Sequence, residues 1–224
     1  MSDFLTKNCF ELDKRKIYRF KLIYSEDRGK ADLIKLIFFF KNQIYEDLQI
    51  KQADQIFYSN FMPFEELPVL IIDDEFKIAQ VNSICRFLAK YFDLDGGNEI
   101  EKVMCDMVVE RLRECSDQYS LITQNESLQK NVSLSRFLNE TLTKTLNGYE
   151  KILAMNIKFR YIVGTEISWA DLAVINSWEW LDDNLKQLIN HYPLVKRHYD
   201  FIRNIKEVNE WFNKQKPLRV NKKV

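Results

Sequence analysis

The chain of 224 residues lacks several features that would announce a function at once. It holds only two histidines, and its four cysteines (Cys9, Cys85, Cys105, Cys115) show no CxxC spacing, so no metal site is spelled out. The cysteines read as reduced, buried small hydrophobes. Excess charge is missing too: 33 Lys+Arg balance 33 Asp+Glu, which argues against nucleic acid or a membrane surface as partner. No apolar run approaches the roughly 18 residues that a membrane-crossing helix needs. Residues Met1 to Lys16 mix acids and bases, with neither the apolar core of a signal peptide nor the acid-poor character of a transit peptide. These absences together point to a soluble, cytoplasmic protein.

What the chain does have is material for a core. The hydrophobic fraction is 46% and the aromatic fraction 13%, with 16 phenylalanines, enough for one large domain or two small ones. After a polar extension over residues 1–16, Ile17–Tyr24 is rich in strand formers, and Lys30–Phe40 is a helix apolar almost all round. Tyr45–Ile50 reads as a second strand, parallel to the first if the helix is a crossover. Residues 52–62 read as irregular. A strand behind Pro68, a short strand Phe76–Ala79 and a helix Val81–Tyr91 follow. Beyond Gly96-Gly97 everything is helical: Ile100, Val103, Met104, Met107, Val108, Leu112 and Cys115 recur at helical spacing, as do Leu134, Leu138, Leu142, Leu146, Tyr149 and Leu153. Ser168-Trp169-Ala170-Asp171 is a capping box. The fold class is therefore α/β followed by all-α: a βαβ-ββα unit over 17–93, a helical unit over 98–215, and a basic, frayed tail over 216–224.

The organising stretch is Pro63-Phe64-Glu65-Glu66-Leu67-Pro68-Val69-Leu70-Ile71-Ile72-Asp73. Pro68 cannot donate to a ladder, so it belongs at the first residue of a strand or in a special turn. Two readings stand. One is an ordinary loop-to-strand corner; the other is a cis X-Pro corner whose neighbouring backbone pairs with an extended, peptide-like ligand.

Five segments in order resemble the cytosolic glutathione transferases: Ile23-Tyr24-Ser25 through Asp32, Tyr45-Glu46-Asp47, Pro63 through Leu70, Gln80-Val81-Asn82-Ser83 through Leu88, and Ser168-Trp169-Ala170-Asp171. The likeness covers about residues 17–215 and is to the sigma class, the branch of the glutathione-dependent prostaglandin-D synthase. It implies a thioredoxin-like glutathione-binding domain followed by the family's helical domain. It also implies a homodimer formed through Glu99–Leu121, with glutathione as substrate beside a small electrophile.

The chemistry must hold a charged tripeptide and keep its thiol ionised, since the thiolate is the nucleophile. By resemblance Tyr24 is the hydrogen-bond donor that depresses the thiol pKa. Lys30 stands where the class has an arginine, keeping the charge but losing the planar fork. Leu67 pairs its backbone with the cysteinyl part of glutathione, held by Pro68, and Gln80 contacts the γ-glutamyl end. The serine that grips the γ-glutamyl carboxylate is here Val81. The tryptophan and lysine at the glycine end are Gln55 and Ser59. Each lost charge-assisted contact weakens binding by roughly 1.5–3 kcal/mol unless replaced. Glu114 falls where an acid reaches across the dimer to the ligand amine, with Glu110 one turn earlier. The tryptophan of the prostaglandin pocket is Leu121, which does not support prostaglandin synthesis. The run Trp178-Glu179-Trp180 reads as packing. These substitutions keep a second function open: a catalytically weakened or inactive transferase-fold subunit that acts as an interaction module in a larger assembly. A thioredoxin-like oxidoreductase is disfavoured, because the Tyr24–Gly29 turn has no cysteine.

Overall fold

Four strands form one mixed sheet in the order β2-β1-β3-β4, with β1 at Phe20–Ser25, β2 at Glu46–Ile50, β3 at Val69–Ile72 and β4 at Phe76–Ala79. The computed structural model describes residues 11–25, 29, 31–124, 129–158, 160–181 and 187–220, without the side chains of 52, 180 and 216–220. Strand β1 pairs parallel with β2, so a crossover is required, and helix α1 (Asp32–Phe40) provides it. Strands β1/β3 and β3/β4 are antiparallel, and a tight turn at Asp73-Asp74-Glu75 joins β3 to β4. All four residues of β3 are buried, as its unalternating run Val69-Leu70-Ile71-Ile72 requires of a strand covered on both faces.

Helix α1 is buried at Leu33, Ile34, Leu36, Ile37 and Phe38, and α3 (Val81–Tyr91) covers the same face of the sheet. The stretch expected to be irregular after β2 instead holds a 3₁₀ turn at Gln52–Asp54 and a short helix α2 at Gln55–Ser59. No α2 residue is buried, which is why its sequence carries no apolar periodicity. The first strand begins at Phe20 and not at Ile17, which is exposed.

The turn into the helical part needs glycine. Gly96 has φ +103°, and a Cβ there would stand 2.9 Å from the Glu101 Cβ. Helix α4 (Glu99–Gln124) follows, then α5 (Lys130–Arg136), a π-helical turn at Phe137–Leu142, α6 (Thr143–Met155), α7 (Trp169–Trp180), a 3₁₀ turn at Gln187–His191, α8 (Pro193–Arg203) and α9 (Lys206–Val220). The final helix runs to Val220, past the Lys216 at which fraying was expected. The apolar set read along α4 divides in two. Val108, Leu112 and Cys115 are buried with Cys105 and Val109, whereas Ile100, Val103 and Met107 are exposed. Helix α7 is the central helix of this half. Residues 168–176 are buried without interruption, and the Trp169 N–H donates to Leu94 O at 2.8 Å, tying α7 to the exit of α3. Among the described residues no helix is long and apolar enough to cross a membrane.

Candidate active site

A cavity of about 970 Å³ opens between the C-terminal edge of the β1/β3 corner and the helical half. Leu67, Pro68, Gln80 and Val81 line one end, and Cys115, Phe137, Asn176 and Trp178 line the other. The Leu67–Pro68 bond is cis, and Pro68 sits one residue before β3, where its missing N–H costs no ladder bond. Gln80 is held at φ +70° between β4 and α3, a conformation that costs a residue with a Cβ about 1–3 kcal/mol. Its amide Nε2 donates to the Glu66 carboxylate at 3.4 Å. Val81 opens α3, whose first turn has no side-chain cap, so backbone N–H groups end there beside the cavity.

A charge cluster edges the same cavity where α3 meets α4. Glu110 accepts from Asn82 Nδ2 at 3.0 Å and from Arg113 Nε at 3.0 Å, and Arg86 lies 3.6 Å away. Burial pushes the Glu110 carboxyl up, but these hydrogen bonds and cations outweigh it and hold its pKa below the usual value. Arg86 also binds Asp106 at 2.7 Å. Glu114, one turn on, does not line the cavity; it is exposed and paired with Arg111 at 3.0 Å.

Tyr24 occupies the fifth position of β1, opposite Gln49, and is half-buried. Its ring lies beneath Lys35 Nζ, 3.6 Å from the centroid, and it is not among the residues lining the cavity. Burial, then hydrogen bonding to the Asp47 carboxylate, pushes the Tyr24 hydroxyl far above the ordinary tyrosine range. The phenol therefore stays protonated and is an O–H donor at any neutral pH. Asp47 in turn meets Lys35 at 3.3 Å and the Tyr45 hydroxyl at 3.5 Å. Asp47 and Lys35 are the neighbours that the sequence reading did not assign. Asp47 pairs with Leu22 across the parallel ladder, a register that composition does not reveal.

The remaining expected residues lie elsewhere. Gln55 Nε2 donates to Glu65 O at 2.9 Å, and Ser59 Oγ donates to Ile56 O at 2.9 Å, so both polar groups are spent on nearby backbone outside the cavity lining. Lys30 and Cys9 lie outside the described residues. Leu121 is exposed. Trp178 is buried, as packing requires, yet it also lines the cavity.

A four-stranded β2-β1-β3-β4 sheet, a cis proline at the mouth of a cavity and an all-helical second half together define a thioredoxin-like protein with a helical extension. Residues 116–215 match the family model described as "Glutathione S-transferase, C-terminal domain". The glutathione S-transferase of Plasmodium falciparum (isolate 3D7) is 31% identical over an alignment of 211 residues that covers 87% of this chain and 95% of the relative. Hematopoietic prostaglandin D synthase of Rattus norvegicus is 27% identical over 201 residues, covering 88% and 96%. Among solved structures, monomeric Na-GST-3 of Necator americanus superposes with a TM-score of 0.78 at 25% identity, covering 88% of this chain and 97% of that one. The chain belongs to the glutathione S-transferase family, whose thiol substrate is glutathione.

Proposed function

We propose that this chain is a tyrosine-dependent, sigma-like glutathione transferase that presents the glutathione thiolate to a small electrophile. The observation that carries the reading is the continuity of one cavity from Leu67, Pro68 and Gln80 to the inner faces of α4 and α7. Glutathione would lie along the Leu67 backbone, with its γ-glutamyl carboxylate at Gln80 and the uncapped N-terminus of α3 beside Val81. Tyr24, kept protonated by its surroundings, would turn its O–H from Asp47 to the thiolate; Lys30 would add a positive field. The electrophile would occupy the helical end. In this reading residues 17–93 form the glutathione-binding domain and 98–215 the helical domain, and the protein is a cytoplasmic detoxifying enzyme.

A homodimer fits the exposed apolar stripe Ile100, Val103 and Met107 on α4 together with exposed Phe64. Glu114 on the same helix would then reach the partner's glutathione amine. A second reading, a weakened transferase-fold subunit of a larger assembly, is favoured by one observation: Gln55 and Ser59 are committed to their own backbone, and Val81 offers no hydroxyl.

Calorimetry with glutathione, run beside a conjugation assay on a generic aryl halide for the parent and Tyr24→Phe, decides between them. Saturable binding with activity lost in Tyr24→Phe supports the enzyme. A folded protein that fails to bind at millimolar glutathione overturns it. Sedimentation of the same samples reads the oligomeric state.

A further inference from the structure

A second hollow, of about 430 Å³, lies away from the cavity described above, between the start of α4, the end of α6 and the loop that leads to α7. Its walls are largely apolar. Ile162 is fully buried, Met104 and Ile152 are the partly buried edge of the core, and Ile100 and Met155 are 71% and 74% exposed. Ile100 also begins the stripe proposed for a dimer, whereas Glu101 and Met104 share this lining with Ile152 and Met155 of α6.

Two polar side chains of the hollow meet at Gly164. The Glu101 carboxylate lies against it, since a Cβ on Gly164, whose φ is +67°, would stand 2.7 Å from Glu101 Oε2. Asn156 holds the same residue, its Nδ2 donating to Gly164 O at 2.8 Å and to Tyr161 O at 3.0 Å. Each side chain has one half in use and one half open. Glu101 Oε2 accepts from the Gly97 N–H at 2.8 Å, which completes the cap that Asn98 Oδ1 makes by accepting from Glu101 N at 3.0 Å. Glu101 Oε1 and Asn156 Oδ1 have no hydrogen-bond partner among the described residues. Unlike the enclosed Asn176 Oδ1, both keep surface that solvent reaches. Lys102, the neighbouring cation, is spent on Glu99 at 2.6 Å and Asp95 at 3.9 Å. Thr165 and the Asn98 amide add neutral groups, so the one charge in the lining is the negative charge of Glu101.

From this we infer that the hollow binds a small organic cation, an ammonium group carrying a hydrocarbon chain, at a site separate from the glutathione cavity. The ammonium donates to Glu101 Oε1 and Asn156 Oδ1, and the chain covers Met104, Ile152 and Met155. A hollow of this size, apolar with a few convergent polar groups, is that of a small-molecule site. A neutral chain gains the apolar contact but leaves the acid unpaired, and an anion sets like charge beside Glu101. The inference stands independently of the transferase reading.

Calorimetry with octylammonium, 1-octanol and octanoate, each below its aggregation concentration, reads the preference. Octylammonium should bind saturably and about five- to tenfold more tightly than octanol, as one partly screened charged contact provides, and octanoate should be the weakest. High salt should narrow the gap between the first two. Glu101→Gln keeps an acceptor for the Gly97 N–H and removes the charge, so it should bring octylammonium down to the affinity of octanol. Methyl-labelled methionine spectra read the location, with the signals assigned by Met104→Leu and Met155→Leu. Both methyls should shift with octylammonium, equally with and without glutathione. Equal affinities for octylammonium and octanol in the parent protein overturn the inference, as do unmoved Met104 and Met155 methyls at saturation or displacement by glutathione. Should Glu101→Gln fail to fold, Met155→Lys places a cation at the exposed edge of the hollow and should abolish octylammonium binding. Undiminished binding in that variant overturns the site.

Discussion

Asp171 and His198 meet in the interior of the helical half, with His198 Nε2 2.7 Å from Asp171 Oδ1 and both side chains buried. The same carboxylate accepts from the Ile162 N–H at 2.8 Å, the Ser168 N–H at 2.8 Å and the Ser168 hydroxyl at 2.9 Å. The capping-box acid thus joins the start of α7 to the preceding loop and to α8. Asp171→Ala should cost about 3–5 kcal/mol, because it strands several buried donors at once. His198→Leu removes one partner and should cost less. Denaturant unfolding of the two variants checks the order, and a smaller loss for Asp171→Ala would contradict this account.

Tyr24 is shared between two acceptors in the proposed mechanism, and Asp47 is the competitor present in the folded protein. Tyr24→Phe should raise the pKa of bound glutathione and lower conjugation at neutral pH by roughly 10- to 100-fold, the worth of a charge-assisted hydrogen bond. Burial is the main cause of the raised phenol pKa, and Asp47→Asn removes the charge that adds to it, so Tyr24 becomes a stronger donor and the bound thiol's pKa should fall. Thiolate absorbance titrated with pH reads both changes. Shifts of the same sign in the two variants would count against Tyr24 as the thiol's partner.

Val81 stands where a hydroxyl is expected to grip a carboxylate at the head of α3. Val81→Ser should tighten glutathione binding by about tenfold, as one added hydrogen bond does. Gln80→Gly should do the opposite to function while relieving the φ +70° backbone, raising stability and weakening binding together. Calorimetry and thermal unfolding on the same samples separate the two effects.

Burial raises the Cys105 thiol to about 12 from an ordinary value of 9.0, and it raises Cys85 and Cys115 in the same direction. A group whose folded pKa is raised stabilises the fold fully below its unfolded pKa. That stability is lost as pH climbs from about 9 to about 12. Each thiol adds up to about 1.4 kcal/mol per pH unit within its window. Denaturant unfolding from pH 8 to pH 11 should show this decline, with a shallower slope in Cys105→Ala. An identical slope in that variant would assign the loss to other groups.

Local patterns were legible wherever the residues alone set the structure. β-branched runs gave β3, proline marked the corner before it, and Ser168 with Asp171 marked the start of α7, because these signals act over a few residues. Helix α2 was not legible, since an exposed helix of five residues carries no buried face to impose a period. The α4 residues were legible as a helix but not as a buried or exposed face. Helical spacing reports a helix, but not which apolar residues the other elements cover, and Ile100, Val103 and Met107 are left outside.

The sequence by itself therefore determined the two-part architecture, the order of elements apart from α2, and the Leu67–Pro68 and Gln80–Val81 corner that borders the cavity. Only the tertiary structure decided what each polar group is free to do. Tyr24 is set beside Asp47 by a parallel ladder register, Gln55 and Ser59 are consumed by nearby backbone carbonyls, and Trp178 packs in the core with its indole N–H unpartnered. Hydrogen-bond satisfaction depends on partners brought together from distant parts of the chain, and short-range patterning carries no record of those meetings.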